Sequence, residues 1–76
     1  MTKYFFDIHD PQGDIVDDEG VELSSLDDAR REARQTIGEA GRTLMAKGVD
    51  GRVVVQVRVQ TGPVLTVTAA FETIDN

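Results

Sequence analysis

Apolar and polar residues alternate along two stretches of the chain and recur at spacings of three and four along the stretch between them. In residues 3–9, Tyr4, Phe6 and Ile8 fall on one side while Phe5, Asp7 and His9 fall on the other. A period of two with aromatic and β-branched residues predicts a strand. Asp10-Pro11-Gln12-Gly13 follows as a turn, because proline fixes φ and glycine tolerates positive φ. Asp14-Ile15-Val16-Asp17 returns as a short second strand, which Asp18-Glu19-Gly20 ends. The clearest alternation comes later. Val53, Val55, Val57 and Val59 face one way, and Val54, Gln56, Arg58 and Gln60 the other. After a turn at Thr61-Gly62-Pro63, Leu65, Val67, Ala69 and Phe71 alternate with Val64, Thr66, Thr68 and Ala70. This second hairpin has one strongly apolar side.

Val21-Glu22-Leu23-Ser24 connects the first hairpin to a helix. Ser25 supplies the N-cap, with Asp28 three residues on as an imperfect capping box. Asp27 and Asp28 occupy the first turn, where the helix dipole favours acids. Leu26, Ala29, Ala33, Ile37, Ala40 and Leu44 then form a narrow apolar stripe. Lys47 and Gly48 mark the end. The order is ββαββ over a single domain, residues 1–76. Two apolar hairpin faces and one helix stripe predict an α+β fold in two layers, a four-stranded, mostly antiparallel sheet with the helix on one face. The expected core is Phe6, Ile8, Leu26, Ile37, Leu44, Val53, Val55, Val57, Val59, Leu65, Val67 and Phe71. A helix from Leu26 to Lys47 is roughly 33 Å long, against about 23 Å for a seven-residue strand. It must cross diagonally, overhang or break. Gly38 and Gly41 lie mid-helix, on one flank with Arg30, Arg34 and Met45, so the helix either kinks there or admits a close neighbour. The tail, residues 72–76, is expected to fray.

Composition narrows the class without naming a function. With 76 residues the core is small, and a dimer interface is a natural supplement. There is no cysteine, hence no disulfide, thiolate metal site or thiol nucleophile. No apolar run approaches the roughly 20 residues of a membrane span, and Asp7 interrupts the N-terminal apolar stretch before a signal peptide develops. The expectation is a cytoplasmic protein. The net charge is −6 and uneven: residues 1–28 hold nine of the fourteen acids and only one base, Lys3. That third repels a polyanion, which argues against nucleic-acid binding.

The residues Lys3-Tyr4-Phe5-Phe6-Asp7-Ile8-His9-Asp10, Asp17-Asp18-Glu19-Gly20-Val21-Glu22-Leu23, and Ala29, Glu32 and Ala33 resemble a group of short bacterial proteins. The group is abundant in rhizobia and related alphaproteobacteria and is classed as a domain of unknown function. It shares a YFF strand, an acidic D-x-x-G stretch, a leucine and an alanine-rich helix. The resemblance runs from residue 3 to 34 and thins through the second hairpin. Members commonly place glycine directly after the aspartate of the first turn, whereas here Pro11-Gln12 intervenes before Gly13. The resemblance implies no catalytic residues.

Three constellations invite chemistry. Asp10, Asp14, Asp17, Asp18, Glu19 and Glu22 are acids that a hard cation needs in convergence, but no EF-hand-type loop is present. Asp7 and His9 share a strand face and supply the orienter–base half of a catalytic unit. The nearby hydroxyls, Thr66 and Thr68, sit on a plain strand without a nucleophile elbow. Gly38-Glu39-Ala40-Gly41 matches the G-x-x-G of KH loops only in letters, since it lies within one periodic helix. No phosphate loop, paired-histidine motif or G-x-S-x-G occurs. A one-helix fold also offers little room for a small-molecule pocket.

These exclusions leave a non-enzymatic protein-interaction module without cofactor, metal or membrane, and with a homodimer as the expected assembly. The candidate interface is the sheet face away from the helix: Phe5, Val54, Val64, Thr66, Thr68 and Ala70. The helix bases Arg30, Arg31, Arg34, Arg42 and Lys47 oppose the acidic hairpin in sign, which favours self-association. Two alternatives stand beside this. One is an antitoxin-like or regulatory partner of a basic protein. The other is a divalent-metal-binding or hydrolytic protein built on the acidic hairpin.

Overall fold

The valine alternation becomes the most deeply buried strand of the molecule. A computed structural model describes residues 1–76. Six elements follow in order: β1 (Thr2–Asp10), β2 (Gly13–Ile15), β3 (Val21–Leu23), α1 (Leu26–Ala46), β4 (Gly51–Val59) and β5 (Gly62–Phe71). The sheet order is β2-β1-β4-β5, with β3 also paired to β1, and every pairing is antiparallel. The helix covers one face, so the structure is the expected α+β fold with an open antiparallel sheet.

The stretch expected as a connector is itself a strand. Val21, Glu22 and Leu23 pair with Tyr4, Lys3 and Thr2, while Ile15, Asp14 and Gly13 pair with Ile8, His9 and Asp10. Two short strands therefore share the outer side of β1 end to end. Between the hairpin strands β4 and β5, Gly62 opposes Val59, so the turn is Gln60-Thr61, one residue earlier than the glycine and proline suggest. Pro63 is accommodated because β5 is an edge strand. A bulge at Val57/Arg58 sets Pro63 opposite Arg58.

The helix ends follow from local chemistry. The Ser25 side chain accepts the Asp28 N–H at 3.1 Å, and the Asp28 carboxylate accepts the Ser24 hydroxyl at 2.6 Å. At the other end Gly48 takes φ +72. Its N–H donates to Met45 O and that of Val49 to Leu44 O, the paired bonds of a Schellman motif. Leu26, placed in the apolar stripe, is 40% exposed because it precedes the region covered by the sheet.

The core is Tyr4, Phe6, Ala29, Ala33, Ile37, Leu44, Val53, Val55 and Val57. Ala29 and Ala33 are fully buried, and α1 packs across β4 and β5. The α1 backbone stands off β1, where the larger Tyr4 and Phe6 side chains fill the space. Ile8, Val59, Leu65, Val67 and Phe71 pack against this cluster but stay half-exposed. The expected length conflict does not arise. The 21-residue helix spans about 32 Å, and nine-residue β4 and ten-residue β5 reach about 30 and 33 Å. The helix runs unbroken past both glycines. Gly41 is a close-packing position: a Cβ there would lie 2.5 Å from Phe71 Cζ, whereas Gly38 faces open space. The tail is held at Thr73, whose N–H and hydroxyl donate to Asp50 at 2.9 and 3.1 Å.

The two glycines should respond oppositely to alanine. In thermal melts of the isolated chain, Gly38→Ala should gain about 1 kcal/mol of helix propensity. Gly41→Ala must displace the Phe71 ring and should lose about 1–2 kcal/mol net. Equal shifts for the two variants would remove the packing role of Gly41.

Candidate functional site

The sheet face away from α1 carries Lys3, Phe5, Asp7 and His9 from β1, Arg52, Val54, Gln56 and Arg58 from β4, and Val64, Thr66, Thr68 and Ala70 from β5. This follows from period two and the observed register. It divides into two halves with different chemistry.

The half over β1 is a closed hydrogen-bonded cluster. Asp7 is only 7% exposed. Arg58 Nε donates to Asp7 Oδ2 at 2.8 Å, and the Asp17 N–H donates to Asp7 Oδ1 at 2.9 Å. Arg58 Nη2 donates to the Asp17 carbonyl at 2.7 Å. The Arg58 guanidinium also lies 4.5 Å from the centroid of the Phe5 ring, a cation–π contact. Asp17 in turn accepts three backbone N–H groups, from Phe6 on Oδ2 and from Glu19 and Gly20 on Oδ1, each at 3.0 Å. Gly20 takes φ +73, and a Cβ there would lie 2.8 Å from Lys3 Cγ and 3.0 Å from the Phe5 ring.

These contacts fix the charges. The hydrogen bond from Arg58 holds Asp7 below the usual carboxylate range against the effect of burial. For Asp17, burial raises the pKa, but the N–H donors of Gly20, Phe6 and Glu19, with Arg58, outweigh it and leave the group lowered. Arg58 is raised, chiefly by its hydrogen bond to Asp7.

The constellations drawn from the sequence are arranged differently from their simplest chemistry. Asp7 and His9 do not form a unit: Asp7 is committed to Arg58 and Asp17, and His9 Nδ1 lies 3.1 Å from Asp14 Oδ1 across the β1–β2 pair. The six acids of residues 10–22 do not converge. Asp10 accepts the Gln12 N–H, Asp14 meets His9, and Asp17 turns inward, while Asp18, Glu19 and Glu22 are exposed. No group of three or more histidine, aspartate or glutamate side chains is placed to share an ion. Gly38-Glu39-Ala40-Gly41 lies inside α1. Arg30 and Arg31, read as a basic surface, pair with Asp27 and Asp28 on their own helix.

The structural roles of Asp17 and Arg58 escape a reading by periodicity. Their signals are short. An Asp-x-x-Gly run offers a side-chain acceptor to N–H groups two and three residues on, with glycine free to take positive φ. Arg52 and Arg58 stand among the outward residues of a valine strand, and Arg58 finds its partner, Asp7, on that face.

The other half of the face lies over β5. Of the six candidate interface residues, Phe5 belongs with the Arg58 cluster and is half-buried, as is Val54. Val64, Thr66, Thr68 and Ala70 form an exposed row along β5, with Val64 at 42%. No helix is long and apolar enough to cross a membrane.

Asp17→Asn keeps the shape but puts an NH2 group among three N–H donors. It should cost about 1–3 kcal/mol in denaturant unfolding, whereas the exposed Asp18→Asn should stay within about 0.5 kcal/mol. The depressed folded pKa values of Asp7 and Asp17 make the associated stability fully present above the unfolded value of about 3.9. It is lost as pH falls through the folded values. Asp17→Asn should therefore flatten the acid limb of a stability-against-pH curve, and an unchanged limb would show that Asp17 is not held low.

Residues 3–70 match the model of the family described as Domain of unknown function (DUF6894). No curated protein and no solved structure matches the chain. The family match takes in the second hairpin as far as Ala70, beyond residues 3–34, which carry the sequence resemblance. With its helix and nearly the whole of its sheet inside that match, the chain belongs to this family of domains of unknown function.

Proposed function

We propose that the chain is a small, non-enzymatic protein-interaction module that self-associates through the β5 side of its sheet. The observation that carries this is β5 itself, a ten-residue edge strand without a single charged residue. Exposed edges are ordinarily blunted by lysine, inward charge, proline or a covering loop. On β5 only Pro63, near its start, serves that purpose. Both rows of β5 side chains are available for contact. Val64, Thr66, Thr68 and Ala70 are exposed on the open face, and Leu65, Val67, Ala69 and Phe71 are only half-covered by α1. A domain of this size has a thin stability margin, to which buried contact area adds directly.

The acids and the histidine of the first hairpin support a non-catalytic reading, since the least exposed of them serve the fold. The Tyr4-Phe5-Phe6 strand and the Asp17–Gly20 stretch favour a place among the short bacterial members of the family.

Sedimentation velocity from roughly 1 to 100 μM protein tests self-association. A concentration-dependent shift from one chain to two is expected. A single-chain species throughout that range overturns the proposal.

A further inference from the structure

Resting on that reading, we propose that two copies pair through the outer edges of β5, antiparallel about a two-fold axis, into one continuous sheet. Both helices then lie on the same face, each turning its Gly38 flank toward the copy.

Charge selects the edge. The opposite side of the sheet is β2, the Val16–Gly20 segment and β3, and it carries Asp14, Asp17, Asp18, Glu19 and Glu22. A two-fold contact there would set acids against acids, whereas β5 itself carries no charge, and the helix flank beside it carries Arg30, paired with Asp27, and Arg34. The β5 edge is also self-complementary, as a two-fold interface must be. Antiparallel pairing opposes residues of the same face. With Val67 on the two-fold axis, Thr66 and Thr68 meet Thr68 and Thr66 of the copy, a favourable cross-strand pair. Leu65 and Val67 meet apolar residues that complete their cover.

Helix spacing gives an independent check. Strands lie about 4.8 Å apart, and α1 packs across β4 and β5. Where α1 passes between β4 and β5 its axis sits about 5 Å from the two-fold axis, so the two helices would approach to about 10 Å there. That is the distance at which helices pack. The flank they present is identified by Gly41, whose surface meets Phe71 of β5. Gly38 lies about one turn before it and Met45 about one turn after. Gly38 has nothing within 4 Å of an added Cβ, and Met45 is 64% exposed. A small residue and an adaptable apolar one are suited to a close helix approach.

The area is sufficient. A strip as long as β5, about 33 Å, and as deep as the molecule's shorter extents of 17 to 21 Å gives roughly 600–700 Å² per copy. Stable interfaces bury about 600–1,000 Å² per partner.

Sedimentation of the full chain and three variants tests the arrangement. Thr66→Glu with Thr68→Glu, and Thr66→Lys with Thr68→Lys, each set like charges across the two-fold axis without touching the core. Each pair should weaken the dimer at least tenfold, and mixing the acidic with the basic chain should restore it. Gly38→Trp lies on the helix side, away from the open face, and should also weaken the dimer at least tenfold. Circular dichroism of Gly38→Trp should show the helix retained. A wild-type dimer that survives either the charge pairs or Gly38→Trp overturns edge pairing but leaves self-association standing. Loss with the charge pairs and persistence with Gly38→Trp assigns the contact to the open faces instead. A wild-type chain that never dimerises overturns both proposals.

Discussion

The backbone N–H of Phe6 has no strand to pair with. On the outer side of β1, β2 ends opposite Ile8 and β3 begins opposite Tyr4, and Phe6 falls between them. An amide left without an acceptor in such a place costs about 1–3 kcal/mol. The Asp17 carboxylate stands in for the missing strand. Its remaining capacity is taken by Glu19 and Gly20, which turns the chain from β2 toward β3. The same residue's N–H and carbonyl engage Asp7 and Arg58, so the turn is fastened to β1 and β4 together. Two short strands can share one side of β1 only because this acid closes the gap between them. The entry to α1, at Ser24 and Ser25, follows directly from where β3 ends.

Where the chain's signals are local, they could be read from its residues. The valine alternation gives β4 and its buried face, Ser25 starts the helix and Gly48 ends it, each through bonds within a few residues. The candidate interface residues share one face by parity alone. What could not be read depends on partners distant in the chain. Val21-Glu22-Leu23 is too short for a period to show, and only the free outer side of β1 makes it a strand. Asp17 looks like one acid among six until its donor, Phe6, is known. Phe5 looks like the apolar centre of the open face until Arg58, far along the chain, is placed over its ring. The tail looks free until Asp50 meets Thr73. In each case a long-range hydrogen bond or contact decided against local composition.

The acidity of the first third has a clearer meaning in this light. Five of its nine acids lie along one edge of the sheet, where Asp17 turns inward to complete the ladder and Asp14, Asp18, Glu19 and Glu22 remain at the surface. Charge on an edge discourages pairing with another chain. That side of the molecule is therefore finished twice, by the loop that fills its gap and by the charge that surrounds it. The family match spans both this edge and most of the uncharged one.

The uncharged edge follows from how the two layers meet. Fully buried alanines let α1 approach closely, and they set it across β4 and β5 rather than over the middle of the sheet. Bulky Tyr4 and Phe6 then cover the space beneath the helix on the β1 side. On the β5 side no comparable side chain reaches outward. Phe71 turns under Gly41 at one end of the strand, and Leu65, Val67 and Ala69 keep part of their surface in water. Alternation along β5 thus continues a core whose helix cover stops short, beside a helix flank that is glycine at Gly38. A sheet finished at one side and unfinished at the other is the geometry on which the proposed two-fold continuation rests.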